Sequence, residues 1–217
     1  SKQAACLDIS AACAGFVYAL LIAQQFIARG AYKNALVIGS EVLSSVTDWQ
    51  DRNTCDLFGD GAGAAVLAPV NSGGILSGYL GSDGSCADLL MLPAGGSRHP
   101  SSHQTVDKRL HYIKMRGNEL FKIAVKTMSE AAQIALDRAG LKCSDVDLVI
   151  PHQANIRILI AVAKKLGLSK DKIYLNIERY GNMSSASTVI ALCEAVKEGK
   201  IKKGDIVLLD AFGAGLV

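Results

Sequence analysis

Apolar positions recur at two different spacings along this chain, and they predict helices that alternate with short buried strands. Apolar residues at helical spacing that end in glycine mark a helix, whereas short apolar runs between turn residues mark strands. The predicted helices are Gly15–Arg29, Gly117–Ala139, Ala154–Leu166 and Ser184–Lys197. The predicted strands are Ala4–Ile9, Ala35–Ile38, Ala62–Leu67, Gly74–Leu80, Asp147–Ile150, Ile173–Ile177 and Ile206–Asp210. This alternation predicts an α/β layered fold with a largely parallel sheet.

One strand–turn–helix–glycine–strand unit occurs twice, at 7–36 and again at 175–206. Gly30, which ends the first helix, corresponds to Gly199, which lies 169 positions later and ends the second. Asn182 follows Cys13 at the same interval of 169 positions. A match that spans a whole supersecondary unit indicates duplication. We therefore expect Cys13 and Asn182 to occupy equivalent strand-to-helix turns.

Composition and charge exclude several classes of protein. Half of the residues are hydrophobic, the net charge is only +3 and there are four prolines, which excludes disordered, collagen-like and proline-rich chains. A sequence pI near 8.5 is too weakly basic to indicate nucleic-acid binding. The longest apolar run, Cys13–Ala23, is shorter than a membrane span of about 20 residues. We expect neither nucleic acid nor membrane as a partner.

The cysteines and histidines indicate reduced thiols and no metal site. The six cysteines are scattered without a CxxC pair, which is typical of a cytosol-like compartment. His99 and His103 lie in a polar stretch without further ligand candidates, so no zinc is expected. The glycines of Gly59–Gly63 resemble a phosphate loop, but they precede a predicted strand and not a helix. No metal or redox cofactor is predicted.

Both ends of the chain are apolar, although domains usually end in exposed polar segments. We therefore expect the sequence to be a piece of a longer protein. A complete globular chain of 22.8 kDa would expose about 9,600 Å².

Three residues at predicted strand ends could carry chemistry. Cys13 lies between a strand and a helix, where the helix dipole favours a thiolate. His152 follows a strand, and Asn182 precedes a helix. Individually they are equally compatible with a buried structural cysteine, a hydrogen-bonded loop histidine and a helix cap. Together they form a nucleophile, a base and an amide donor, a combination that papain-like cysteine hydrolases also use.

Four motifs, in order along the whole chain, resemble the β-ketoacyl-acyl carrier protein synthase III family. They are Asp8-Ile-Ser-Ala-Ala-Cys-Ala-Gly-Phe16, Phe58-Gly-Asp-Gly-Ala-Gly-Ala-Ala65, Pro151-His-Gln-Ala-Asn-Ile-Arg157 and Tyr180-Gly-Asn-Met-Ser-Ser-Ala-Ser187. The resemblance implies a thiolase-like, duplicated αβαβα layered fold with its first half truncated. Residues 1–72 would be the remainder of the N-terminal half and residues 73–217 the C-terminal half.

The resemblance also implies roles for the three candidates. Cys13 would take an acyl group from acyl-CoA. His152 and Asn182 would bind the thioester carbonyl of malonyl-acyl carrier protein and stabilise its enolate. The backbone amides of Cys13 and Ala214 would form the oxyanion hole, although Ala214 stands where the family usually has glycine.

Further residues are assigned by the same resemblance, each with a plainer alternative. The coenzyme A and pantetheine channel would include Arg52, Gly117, Asn118, Asn155 and Arg157. The acyl pocket would include Leu43, Phe58, Leu90, Ile113 and Met115, for which ordinary core packing is the alternative. The carrier protein would dock on Lys122, Arg157, Lys164 and Lys165, for which a solvated basic face is the alternative.

The sequence as a whole therefore predicts an initiating, decarboxylating condensing enzyme of type II fatty-acid synthesis. Acyl-CoA and acyl carrier protein are its expected partners, and a homodimer in the bacterial cytoplasm or plastid stroma is its expected state. The alternatives are a 3-hydroxy-3-methylglutaryl-CoA synthase-like enzyme, a polyketide starter synthase and an inert fragment. A degradative thiolase is disfavoured because it has a second cysteine where this chain has Asn182. The choice of primer among acetyl, branched and longer acyl groups stays open.

Overall fold

A computed structural model describes residues 2–217 of the chain. Its helices are α1 (Gly15–Ala28), α2 (His103–Asp107), α3 (Gly117–Ala139), α4 (Ile156–Lys165), α5 (Ile177–Tyr180) and α6 (Ser185–Lys197). Its strands are β1 (Ala35–Val42), β2 (Asp60–Leu67), β3 (Leu90–Met91), β4 (Lys114–Met115), β5 (Leu148–Pro151) and β6 (Val207–Asp210). The strands form three pairs: β1–β2 and β3–β4 are antiparallel, and β5–β6 is parallel.

The described elements stack in four layers. Helices α1 and α6 lie between the β1–β2 and β5–β6 sheets, and α3 and α4 cover the far side of β5–β6. Val37 of β1 packs with Phe16 and Leu20 of α1. Ile150 of β5 packs against α6, whereas its neighbour Val149 packs against α3. Both faces of β5 are therefore buried, and this is why the strand is apolar at every position.

Three of the predicted strands differ from the structure. The segments 4–9 and 74–80 form no strand, and Ile173–Ile177 contributes only a single bridge, between Ile173 and Val149. A strand is defined by ladder hydrogen bonds to a neighbouring strand, and no described strand pairs with 4–9 or 74–80. The prediction of a largely parallel sheet is also wrong, since two of the three pairs are antiparallel. The polar stretch that contains His99 and His103 includes the short helix α2.

One face of the β1–β2 sheet is covered by helices and the other is open. Leu36, Ile38, Val42 and Val66 alternate along the open face, and each is more than half exposed. The chain exposes 12711 Å² in total, against about 9,600 Å² expected for a compact protein of this mass. The described residues thus form four layers, with no described helix on the outer face of β1–β2.

Part of the duplicated unit predicted from the sequence is visible in the backbone: a helix followed by a strand recurs as α1–β1 and α6–β6, whereas the strand predicted before each helix does not form. Helix α1 ends at Ala28 and α6 ends at Lys197, an interval of 169 residues. Beyond them Gly30 and Gly199 have left-handed φ values of 70° and 68°, as expected where glycine ends a helix. The boundary between residues 72 and 73 stays a prediction.

The glycines before and within β2 let the Tyr180–Met183 segment and α6 approach the sheet. A Cβ atom on Gly59 would lie 2.1 Å from the carbonyl oxygen of Tyr180, and one on Gly63 would lie 2.7 Å from a methyl carbon of Val189. The phosphate-loop-like run therefore serves close packing.

We expect Gly59→Ala to lower the free energy of unfolding by about 1–3 kcal/mol, because the added methyl group collides with backbone. The comparison variant is Gly84→Ala, whose Cβ would meet no atom within 4 Å. Its effect should stay below about 0.5 kcal/mol. Urea unfolding of both variants provides the measurement, and equal midpoints would contradict the packing described here.

Candidate active site

Cys13 lies in the short 3-10 turn Ala12–Ala14 that leads directly into α1. The turn is tight: Ala12 has a φ of 44°, a left-handed conformation that is costly for alanine. The Phe212–Gly215 loop packs on this turn, and a Cβ atom at Gly213 would lie 2.9 Å from the Cys13 nitrogen. Glycine at 213 is what allows the loop to reach the cysteine.

The Cys13 thiol is protonated at neutral pH, which corrects the expected thiolate. Burial raises the pKa of Cys13 to about 11 and outweighs hydrogen bonds from the Ser184 side chain and the amides of Cys13 and Ala214, which lower it. The nearby carboxylate of Glu41 raises the pKa further. Both amides of the expected oxyanion hole therefore face the Cys13 sulfur.

We expect alkylation of Cys13 by iodoacetamide to accelerate about tenfold per pH unit between pH 7 and 9, because only the thiolate reacts. A thiol with a pKa raised to about 11 gains thiolate throughout this range, whereas an ordinary thiol near 8.5 approaches its plateau. Peptide mass spectrometry at each pH separates Cys13 from the exposed Cys6. A plateau for Cys13 below pH 8 would contradict the dominance of burial.

His152 lies at the carboxyl end of β5 and is completely enclosed. Its backbone nitrogen donates to the carbonyl of Asp210, at 2.7 Å, which continues the β5–β6 pairing. Its ring Nδ1 lies 2.6 Å from the hydroxyl oxygen of Ser187. Burial lowers the pKa of His152 to about 4, so the imidazole is neutral at physiological pH.

Asn182 is held by both its backbone and its side chain. Its backbone nitrogen donates to Leu57 and its carbonyl accepts from Gly59, at 2.8 and 2.9 Å. Its side-chain oxygen accepts from the nitrogen of Ser184 at 2.9 Å. This fixes the amide plane and leaves the NH₂ group as the side that can donate to a ligand.

Ser184 brings the three candidates together. Its side chain bonds to Cys13, its backbone bonds to His152, and its nitrogen bonds to Asn182. Ser184 has a φ of 48°, a strained backbone conformation immediately before α6. The turns that precede α1 and α6 therefore meet the end of β5 at one point.

Glu41 is a site neighbour that the sequence reasoning missed. Its carboxylate accepts from the hydroxyl and the nitrogen of Ser185 at 2.6 and 3.2 Å, at the start of α6. A carboxylate is favourable at that helix end. Glu41 precedes the buried Asp210 by 169 residues, the interval of the repeat, so the repeat could have drawn attention to it.

The predicted coenzyme A residues lie on exposed turns and helix starts. Arg52 is exposed, Gly117 and Asn118 begin α3, and Asn155 caps α4 through a 2.9 Å bond to the Arg157 nitrogen. The Arg157 guanidinium lies 5.7 Å from the Phe121 ring centre. Their part in binding stays a prediction.

The predicted acyl-pocket residues fall into three places. Leu90 and Met115 face each other across β3–β4 and pack with the cluster that contains Phe212. The Ile113 nitrogen donates to Val46, beside the Leu43–Ser45 turn, and Phe58 forms a bridge with Asn182. These contacts leave the pocket role a prediction.

A cavity of about 580 Å³ lies along β6 between α1, α3 and residues 74–83. Neither the five acyl-pocket residues nor Cys13, His152 and Asn182 line it.

Basic residues are clustered on α3 and α4. Lys122, Arg157, Lys164 and Lys165 are all exposed on this helix pair, and within residues 2–217 none of them forms an ion pair. In the same part of the chain, no three His, Cys, Asp or Glu side chains are grouped to hold a metal. None of the described helices combines the length and apolarity of a membrane span.

The chain is similar along its length to proteins of one family. The family model of 3-oxoacyl-[acyl-carrier-protein] synthase III matches residues 7–84, and that of its C-terminal part matches residues 136–217. A beta-ketoacyl-[acyl-carrier-protein] synthase III from Caldanaerobacter subterraneus is 58% identical over 99% of this chain, and the chain spans 65% of that relative's length. One from Natranaerobius thermophilus is 53% identical, with 67% of its length covered. The crystal structure of the Aquifex aeolicus synthase III superposes with a TM-score of 0.89, at 49% identity, over 99% of this chain and 65% of that one.

The layered, duplicated α/β architecture defines a thiolase-fold protein, as the sequence predicted. The synthase III models match at both ends, and a relative more than half identical is covered over two thirds of its length. The chain belongs to the 3-oxoacyl-[acyl-carrier-protein] synthase III family.

Proposed function

We propose that this protein is an acyltransferase, the initiating condensing enzyme of type II fatty-acid synthesis. It transfers an acyl primer from acyl-CoA to Cys13 and then condenses it with malonyl-acyl carrier protein to give 3-oxoacyl-acyl carrier protein. The observation that carries the proposal is the meeting of Cys13, His152 and Asn182 around Ser184. Membership of the synthase III family supports the same reaction.

In the first step, the Cys13 sulfur attacks the thioester carbonyl of acyl-CoA. The carbon–sulfur bond to coenzyme A breaks, and the departing sulfur takes up the proton that Cys13 loses. The amides of Cys13 and Ala214 face the sulfur and are placed to hold the carbonyl oxygen as it becomes negative. Because burial keeps Cys13 protonated, this stabilisation is needed to lower the cost of forming the thiolate during attack.

In the second step, His152 and Asn182 donate to the thioester carbonyl of malonyl-acyl carrier protein. Loss of carbon dioxide leaves an enolate on that oxygen, and the two donors stabilise its charge. The enolate carbon attacks the acyl carbonyl on Cys13, and the sulfur departs and takes a proton from water. No metal or redox cofactor is required, because decarboxylation itself supplies the carbanion.

The partners follow from the same chemistry. The exposed basic cluster on α3 and α4 suits an acidic carrier protein. Acyl-CoA would contact the five predicted coenzyme A residues, which are Arg52, Gly117, Asn118, Asn155 and Arg157. We further propose that the protein acts as a homodimer in the bacterial cytoplasm, and the bacterial sources of the relatives support that compartment.

Incubation with acetyl-CoA and malonyl-acyl carrier protein tests the proposal. We expect carbon dioxide and 3-oxoacyl-acyl carrier protein in equal amounts. Consumption of acetyl-CoA without decarboxylation of the malonyl group would favour a 3-hydroxy-3-methylglutaryl-CoA synthase-like reaction. Cleavage of peptides would favour a papain-like hydrolase, and an inert chain would do none of these. Repeating the assay with branched and longer acyl-CoA identifies the primer.

A further inference from the structure

Glu194 accepts hydrogen bonds from the segment that leads into Asn182. It lies on the third turn of α6, and one of its carboxylate oxygens accepts from the Tyr180 hydroxyl at 2.6 Å. The other oxygen accepts from the side-chain nitrogen of Asn176 at 2.8 Å and from the guanidinium of Arg179 at 3.0 Å. The helix that follows Asn182 therefore holds the residues that precede it.

The charge of the Glu194 carboxylate sets the direction of these bonds. Burial alone raises its pKa, but hydrogen bonds from Asn176 and Tyr180 and the charge of Arg179 lower the pKa overall. The side-chain oxygen of Asn176 is buried without a hydrogen-bond partner. Turning this amide would place that oxygen against the carboxylate, which can only accept, so Glu194 fixes which way the amide faces.

The same network reaches the segment beside His152. The backbone nitrogen of Asn176 donates to the side-chain oxygen of Gln153 at 3.1 Å, and Gln153 immediately follows His152. Both Asn176 and Gln153 are fully buried, and hydrogen bonds in such an interior are stronger than in water. Glu194 is thus connected to the supports of both His152 and Asn182.

The turn between Tyr180 and Asn182 depends on supports at both of its ends. Gly181 has a φ of 68°, and a Cβ atom there would lie 2.9 Å from the Leu57 carbonyl oxygen. Because glycine has no side chain that restricts its own backbone, the flanking contacts set the position of Asn182. One support is the bond from the Asn182 nitrogen to the Leu57 carbonyl. The other is the bond from Tyr180 to Glu194.

We propose that Glu194 is a positioning residue, whose carboxylate fixes the α5 segment and thereby the amide of Asn182. The side-chain hydrogen bonds of Glu194 go to residues 174–180, so it acts through this segment and not on the reacting atoms. The consequence for catalysis rests on the proposed function, in which Asn182 acts in the malonyl step and not in the acylation of Cys13.

Kinetics of the two half-reactions in Glu194→Gln test the proposal. We expect malonyl decarboxylation to slow about 10- to 100-fold while acylation of Cys13 stays within about threefold of wild type, because a displacement of about 1 Å at a group near the reacting atoms can cost this much. Equal losses in both steps would indicate a merely structural role and overturn the proposal.

Glu198→Gln is the matched control. Glu198 directly follows α6, and its side chain is 42% exposed, against 19% for Glu194. It accepts from the Tyr174 hydroxyl at 2.9 Å and lies 3.8 Å from the Arg179 guanidinium. Exposed ion pairs contribute little, so both steps should stay within about threefold of wild type. Equal slowing of decarboxylation in the two variants would contradict the role given to Glu194.

Hydrogen exchange at the backbone amide of Asn182 gives a readout that needs no substrate. This amide donates to the Leu57 carbonyl at 2.8 Å and is protected while the turn stays closed. We expect NMR to show exchange about tenfold faster in Glu194→Gln and unchanged in Glu198→Gln. Exchange in Glu194→Gln equal to wild type would overturn the proposal.

Tyr180→Phe tests the same contact if Glu194→Gln does not fold. Tyr180 is 39% exposed, so the ring stays in place when the hydroxyl is removed. Loss of this one bond should slow decarboxylation about 3- to 10-fold, and no slowing in the folded variant would overturn the proposal. If the exchange results hold but even the wild type fails to decarboxylate malonyl groups, the proposed function fails and the positioning of Asn182 by Glu194 stands.

Discussion

The Cys13→Ala variant is expected to lose acyl transfer from acyl-CoA by about 10⁶-fold, the loss typical of removing a catalytic nucleophile. No other nucleophile is positioned to take the acyl group. The other five cysteines lie outside the site, and the hydroxyl of Ser184 faces Cys13 without a base that would activate it. Rapid quenching with labelled acetyl-CoA measures the transfer directly.

Cys193→Ala is the control for this experiment, because Cys193 is exposed on α6 and its loss should leave transfer unchanged. Transfer by Cys13→Ala within about tenfold of wild type would show that another group accepts the acyl chain.

The second large effect concerns His152 and Asn182, the two proposed donors to the malonyl thioester carbonyl. We expect His152→Ala and Asn182→Ala each to reduce malonyl decarboxylation by about 10²–10³-fold, the usual loss when one donor to a developing oxyanion is removed. Acylation of Cys13 should be affected far less, because in the proposed mechanism the carbonyl oxygen of that step is held by the amides of Cys13 and Ala214, which face the sulfur.

Release of labelled carbon dioxide from malonyl-acyl carrier protein provides the measurement. His103→Ala replaces an exposed histidine and serves as the control. Unchanged decarboxylation in His152→Ala would remove that residue from its proposed role.

The four longest helices of this fold could be predicted from the sequence, whereas the absence of strands at 4–9 and 74–80 could not. Helix α3 begins and ends where its apolar spacing predicts, at Gly117 and Ala139, and α6 begins within one residue of its predicted start. Helical hydrogen bonds are local, so the local pattern suffices. The sequences of segments 4–9 and 74–80 resemble those of the segments that do form strands. A strand, however, depends on a neighbouring strand, which the local pattern does not reveal.

Some residues of the candidate site could likewise be predicted from the sequence, and others could not. Cys13, His152 and Asn182 could be singled out because each follows or precedes a predicted element at the same topological position. Glu41 is marked in the sequence only by its place in the repeat, because its contact with Ser185 depends on packing that the local pattern does not show. The sign of the Cys13 pKa shift was also missed, since the helix start is visible in the sequence whereas the depth of burial is not.

The most direct test of the central claim is to locate the acyl group on the protein. After brief incubation of the chain with acetyl-CoA alone, intact mass and peptide mapping should find one acetyl group, attached to Cys13. Addition of malonyl-acyl carrier protein should then remove it and release carbon dioxide. An acetyl group on any other residue, or one on Cys13 that malonyl-acyl carrier protein leaves in place, would contradict the account.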